Sequence, residues 1–504
     1  MSDQTQAGYT GYTAYAYLPP GTLADFELTP EFGRVPPYAG PALTPEQATR
    51  SARLLGDGLV ISLHDHPVRF PADMAETPAY NRTGRQHAAY AGLRASGLTV
   101  VFDNLMDGTA CVTGSAPWRW NDIITDLGMR LADVAHAGPE FTVIRTVADI
   151  DAAQRAGQTG LVFGLEAATP IENELDRLDV LYGLGLRQIG IAYSDANALG
   201  GGLAEPVDGG LTAFGHRAVT RMNQLGLAID LSHAGDRTAL DTCERSERPV
   251  FITHAGARAV WDIPRMKPDD VLRAVAATGG VIGMSAAPHT TLSAAHPRHS
   301  IESVMDHFRY CADLVGIEHV AFGPDTLYGD HVALHRIFAH LLSMRAARGP
   351  AFDPVAYVDG LENPTENFGN ICGWLVQHGY DDADIRAVLG GNIYRALQSI
   401  WVLWPFEGQS LLDRARGGEQ RHVGAARCGQ LDPDREPVVP AARQDQRGVP
   451  GEVEHAGEHA LEFALRRVHR WGGHRRGERG GRGDQDVDAA VHLGGARQQV
   501  VASA

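Results

Sequence analysis

Between positions 59 and 404 short apolar runs alternate with helix-like stretches, and this alternation restricts the fold more than any other feature of the 504-residue chain. The runs are 59–64, 98–103, 161–166, 188–193, 227–233, 250–254, 280–285 and 319–325. Amphipathic stretches lie between most of them, as at 173–182, 213–225, 268–278 and 301–315. Strand and helix in alternation imply a parallel sheet covered by helices. Eight such units over this length suggest a closed α/β barrel of the (β/α)8 TIM type. A ninth run at 141–145 is a candidate extra strand. The structural alternative is an open doubly wound sheet, which would carry a glycine-rich phosphate loop after an early strand. Gly200-Gly201-Gly202 follows no strand directly and reads as a plain loop.

In a (β/α)8 barrel the functional side chains gather where the strands end. Here the runs end on His64 and His66, Asp103, Glu166, His233, His254 and Asp325. In Leu63-His64-Asp65-His66-Pro67 the period of a strand aims both imidazoles to one side and Asp65 to the other. A single strand-terminal histidine is usually structural. Three separate strands ending in histidine and one in glutamate point instead to a metal site. Nitrogen and oxygen donors without sulfur suit catalytic zinc, and four histidines with one carboxylate are enough for two ions, the carboxylate bridging. Asp325 is placed to move a proton at metal-bound water, although aspartate is also a common helix cap. His216, His289, His296, His299, His331, His335 and His340 fall in helices or loops and are expected to be ordinary surface or capping histidines.

The formal net charge of −17 argues against nonspecific nucleic-acid binding. Five scattered cysteines (Cys111, Cys243, Cys311, Cys372, Cys428) without C-x-x-C spacing speak against a disulfide framework and fit a reducing, cytoplasmic setting. No apolar run is long enough to span a membrane, and no basic-then-apolar start marks a leader. Residues 1–45, rich in Tyr, Gly, Thr and Pro, form either a packed extended arm or a loose tail, with the tyrosines favouring packing. Thr44-Pro45 opens a helix, and the catalytic domain is expected over 46–405. From 406 to 504 isoleucine, methionine, threonine, tyrosine, asparagine and lysine all vanish. That composition is expected to be disordered, or to come from a shifted reading frame, and no function is assigned to it.

Several stretches resemble the membrane (renal) dipeptidase family, peptidase family M19. They are Gly164-Leu165-Glu166, the segment from Met222 through Asp230-Leu231-Ser232-His233, Pro249-Val250-Phe251-Ile252-Thr253-His254, and Arg265 followed by Asp269-Asp270. Phe322-Gly323-Pro324-Asp325, Gly360-Leu361-Glu362-Asn363-Pro364 and Leu389-Gly390-Gly391-Asn392 extend the resemblance over roughly 58–404. It implies an amidohydrolase-like barrel with two zinc ions that hydrolyses dipeptides. His64 and the residue at 66 would bind one ion, Glu166 would bridge, and His233 and His254 would bind the second. Arg265 would take the substrate's C-terminal carboxylate in a bidentate pair, where the simpler reading is a solvated helix-start arginine. A homodimer is a family-level expectation.

Three positions depart from the family pattern. His66 stands for an aspartate, Tyr193 for the carbonyl-polarising histidine, and Leu327 for a second acid after Asp325. A Tyr193 hydroxyl can still donate to an oxyanion, or it can be pocket wall. The expected activity is metal-dependent cleavage of a dipeptide. The alternatives are the same centre acting on an N-acyl amino acid, lactone or cyclic amide, and a metal-binding protein without catalysis.

Overall fold

The computed structural model describes residues 18–19, 26–81, 83, 86–105, 119–338 and 352–402, so the expectations for 406–504 and for His340 lie outside the described residues. The eight expected runs are strands: β1 (Ile61–His66), β2 (Val100–Leu105), β3 (Thr159–Leu165), β4 (Gln188–Gly190), β5 (Ala228–Asp230), β6 (Phe251–Ala255), β7 (Val281–Met284) and β8 (Val320–Phe322). Each pairs in parallel with the next. Beyond β8 the chain bends through Gly323-Pro324-Asp325, and Thr326–Leu327 then pairs in parallel with β1, Asp65 opposite Thr326. The sheet therefore curls back to its own first strand, and the (β/α)8 expectation is met. Phe141–Val143 is an additional strand outside this path, paired with β3.

Two physical constraints shape the site end. A Cβ on Gly323 would lie 2.1 Å from the Thr253 carbonyl oxygen, so only glycine lets the bend after β8 pass so near β6. The β1–β2 register shifts between Ser62 and Asp65, and the β6–β7 register shifts between Ile282 and Met284. Such bulges re-aim side chains at strand ends.

The opposite end is closed by the helix Asn392–Ile400, whose Ile393, Leu397 and Ile400 cluster with Ile61, Val100 and Val281, the first residues of β1, β2 and β7. A second apolar layer packs the outer strand faces (Val101, Phe163, Ile229) against helices through Leu127, Leu178 and Met222. The helix Pro45–Asp57 begins with a capping box in which Thr44 and Gln47 bond each other's backbone. Ahead of it the described part of the arm, from residue 26, is packed: Thr29 N–H donates to the Phe70 carbonyl at 2.9 Å and Ala72 N–H to that of Glu27 at 2.7 Å. No helix among the described residues is long and apolar enough to cross a membrane.

Candidate metal centre

The strand ends bring His64, His66, Glu166, His233, His254 and Asp325 into one buried cluster. The His64 and His66 Nε2 atoms are 3.2 Å apart, and those of His233 and His254 are 2.9 Å apart. Glu166 Oε1 lies 3.0 Å from His233 Nε2, 3.6 Å from His254 Nε2 and 3.9 Å from His64 Nε2. Asp325 Oδ1 is 3.2 Å from His66 Nε2, and its Oδ2 is 3.9 Å from His254 Nε2. Two donors about 2.0–2.1 Å from a tetrahedral zinc stand roughly 3.3 Å from each other. The nitrogen pairs are thus spaced as two donors to one ion, and Glu166 lies between the two pairs.

Hydrogen bonds hold three of the rings with Nε2 facing the centre. His66 donates Nδ1–H to the Asn104 carbonyl at 2.9 Å. The Thr253 hydroxyl donates to Asp230 Oδ2 at 2.8 Å, which leaves its oxygen to accept from His64 Nδ1 at 3.1 Å and His254 Nδ1 at 2.9 Å. One threonine thereby sets the tautomer of two imidazoles from two strands. Asp230 stays at the back of the site. Its oxygens accept from the Ser232 and Thr253 backbone and hydroxyl groups, so it is a support and not a free donor. His233 is held differently, by the Tyr193 ring stacked on it at 4.1 Å and by two cations on the adjoining backbone. Arg265 donates to the Ser232 carbonyl at 3.2 Å and Lys267 to that of Ala234 at 2.5 Å.

Burial, reinforced by neighbouring cationic groups, holds the pKa values of His64, His233 and His254 well below the usual imidazole value. Burial also pushes Glu166 up to about 8. For His66 burial opposes the charge, but the hydrogen bond to Asp325 and the Glu166 carboxylate outweigh it and carry the ring up to about 9. The neutral imidazoles of His64, His233 and His254, the His66 Nε2 turned to the same point, and a buried Glu166 Oε2 without a hydrogen-bond partner among the described residues are the donor set a divalent cation fits, the His66 proton leaving when the cation binds. Asp325 carries φ of +62°, a strained value for a residue with a side chain, and its N–H is tied to the His64 carbonyl at 2.9 Å.

Arg265 is 2% exposed and tied to the Ser232 and His254 carbonyls, which excludes the solvated-arginine reading. Asp103 is not in the cluster. The alternation of β2 turns it outward, where it takes a 2.6 Å ion pair from Arg130 of the helix Trp120–His136. The expectation of ordinary surface or capping histidines fails for His299, His331 and His335, which are buried. Two of them serve the backbone of the loop after β7: His299 Nδ1 accepts from His289 N–H at 2.8 Å, and His335 donates to the Pro288 carbonyl at 3.3 Å. The outer support was missed from sequence, although Asp230, Ser232 and Thr253 carry a usable signal, because small polar residues flank histidines at two strand ends.

Residues 125–336 match the model of the membrane dipeptidase family (peptidase family M19). A dipeptidase of Clonostachys rogersoniana, verJ, is 27% identical over 281 residues, 55% of this chain and 63% of verJ. Among solved structures, an amidohydrolase from Pseudomonas aeruginosa superposes with a TM-score of 0.57 at 24% identity, covering 70% of this chain and 99% of its own. A metallo peptidase from Rhodobacter sphaeroides, solved with a phosphinate mimic of the dipeptide L-Ala-D-Ala, gives 0.53 at 22% identity, covering 68% and 99%. The chain thus spans less than two thirds of verJ but nearly the whole of these barrels. Over 125–336 the chain resembles the membrane dipeptidase family, peptidase family M19, and its curled parallel sheet has the fold of these solved neighbours.

Proposed function

We propose that this protein is a metal-dependent dipeptidase, cleaving a dipeptide and water into two amino acids. The observation that carries the reading is the pair of donor sets meeting at Glu166: His64, His66 and Glu166 on one side, Glu166, His233 and His254 on the other. In this reading each set holds one zinc ion, and the two ions together supply an acidified water and a Lewis acid for the amide carbonyl. The chain's own residues do the rest. Arg265 takes the substrate's C-terminal carboxylate from the His233–His254 side. The Tyr193 hydroxyl donates to the carbonyl oxygen as charge builds on it. Asp325, 3.2 Å from His66 Nε2, takes the proton of the attacking water at a carboxylate oxygen and returns it to the leaving amine. Imidazole at position 66 in place of carboxylate removes one negative charge from the centre, which favours a more acidic water.

The three departures motivate a second reading, in which the same centre acts on an N-acyl amino acid or lactone; buried Leu327 puts an apolar wall where the family has an acid. The free thiols of Cys243, Cys311 and Cys372 support a cytoplasmic setting, and a homodimer is carried over from the family resemblance alone.

The test is a panel of L,L and L,D dipeptides, N-acyl amino acids and lactones, assayed with added zinc and with chelator. The expected result is chelator-sensitive cleavage of dipeptides, with Glu166→Gln lowering both bound metal and turnover at least about 100-fold, as removal of a shared ligand should. Unchanged metal content and turnover in that variant would overturn the reading. Cleavage confined to the N-acyl compounds or lactones would favour the second.

A further inference from the structure

The two sides of the centre are built unequally around Glu166, which belongs to both donor sets. On one side both imidazoles are braced from behind, His64 Nδ1 by the Thr253 hydroxyl at 3.1 Å and His66 Nδ1 by the Asn104 carbonyl at 2.9 Å. On the other side His254 Nδ1 is braced by Thr253 at 2.9 Å, but His233 Nδ1 is buried with no hydrogen-bond partner among the described residues. When the Nε2 of such a ring faces an ion, its Nδ1 carries the proton, and on His233 that N–H meets no acceptor. A bracing acceptor fixes a ligating ring and raises its basicity, and losing one typically weakens metal binding about 10–100-fold.

The charges beside the two sides differ in sign. Asp325 Oδ1 lies 3.2 Å from His66 Nε2 and 3.8 Å from His64 Nε2, so a carboxylate faces the first side. Cations face the second. Arg265 is bonded to the Ser232 and His254 carbonyls, next to both ligands of that side, and it makes no ion pair among the described residues. Lys267 is fully buried on the Ala234 carbonyl, likewise without an ion pair among the described residues. Burial brings the Lys267 pKa down to about 7, so it adds charge only below neutrality, whereas Arg265 stays charged throughout. A divalent ion feels each of these charges twice as strongly as a proton does. The carboxylate that keeps a proton on His66 therefore draws an ion to that side more strongly still, and Arg265 repels one from the other side. Resting on the two-ion reading above, we propose that the ions are held unequally: the ion at His64 and His66 is tight and permanent, and the ion at His233 and His254 is weak and exchangeable, with Arg265 as the charge that weakens it.

Zinc titration of the wild type in competition with a chromogenic chelator should give two dissociation constants at least about tenfold apart. Dialysis against a chelator of intermediate strength should leave one ion per chain. His233→Ala should keep that ion and His66→Ala should release it. Zinc anomalous scattering from wild-type crystals grown with one equivalent of zinc should place the ion between His64 and His66, a result that needs no variant to fold. Arg265→Met should tighten the weaker ion about tenfold, and Arg265→Lys, which keeps the charge, should leave it unchanged. Two equal constants, or a retained ion that follows His233 and not His66, would overturn the proposal. Identical zinc affinities in the two Arg265 variants would overturn the part given to its charge. Fewer than two ions bound in excess zinc would overturn the proposal together with the two-ion reading on which it rests.

Discussion

The Thr253 hydroxyl is the smallest part of the site with the widest reach. It joins Asp230 on β5 to His64 on β1 and His254 on β6, and a single proton donated to Asp230 makes its oxygen the acceptor for both rings. Thr253→Val keeps the shape and removes this function. Both rings then lose the bond that fixes their tautomer, and Asp230 loses a donor while remaining buried. The expected result is a 10–100-fold loss of metal affinity, measured by competition with a chromogenic chelator, with the overall fold retained by circular dichroism. Loss of metal affinity equal to that of Glu166→Gln would instead mark Thr253 as essential to folding of the centre. Residues at this scale were legible where they are ligand types: His64, His66, Glu166, His233, His254 and Asp325 all converge as expected from their strand-end positions. Thr253 and Asp230 were not, because a hydroxyl or carboxylate at a strand end has many ordinary uses and only the partner across the barrel shows which one applies.

At the scale of the element, strand β2 shows how a period of two divides roles between adjacent residues. The Asn104 carbonyl faces His66, and the neighbouring Asp103 faces the helix Trp120–His136 and its Arg130. Arg130 also approaches Asp126 at 3.5 Å, so one guanidinium serves two buried carboxylates. Burial raises both of their pKa values, and Arg130 opposes the rise. Arg130→Met should therefore destabilise the protein by about 3–5 kcal/mol in urea unfolding at neutral pH, since it strands the two acids. Asp103→Asn should cost less, because Arg130 keeps Asp126. Equal losses from the two variants would show that the contact with Asp126 contributes nothing. Alternation alone could not place Asp103, because a bulge between Ser62 and Asp65 shifts the neighbouring strand and register is settled only by pairing.

For the whole molecule, the decisive feature is that β8 and the Thr326–Leu327 pair with β1 bring the two ends of the barrel sequence together, with Asp325 at the junction. The N-terminal arm straps this junction. Arg34 bonds the Gly329 carbonyl at 3.2 Å and Glu362 at 2.6 Å and lies 3.3 Å from Asp330. Glu31 accepts from Gly92 N–H at 2.7 Å on the far side. Burial raises Glu362 to about 7 despite Arg34. Its folded form therefore binds more protons than the unfolded chain between the ordinary value of 4.5 and about 7, and its contribution to stability falls as pH rises through that window. Arg34→Met removes the opposing cation, so the fall should extend above pH 7, and melting temperature measured from pH 5 to 9 should decline more steeply than in the wild type. Parallel curves would show that the arm does not support Glu362.

The sequence by itself determined the element order, the eight strands and their polar ends, because hydrophobic periodicity and strand-end chemistry are local properties that each segment carries alone. The tertiary structure decided which polar ends share a space: it turned Asp103 outward, buried His299, His331 and His335, pinned Arg265 between two carbonyls, and set Thr253 between two rings. These outcomes depend on strand register, bulges and contacts between residues far apart in the chain, and no local pattern encodes them.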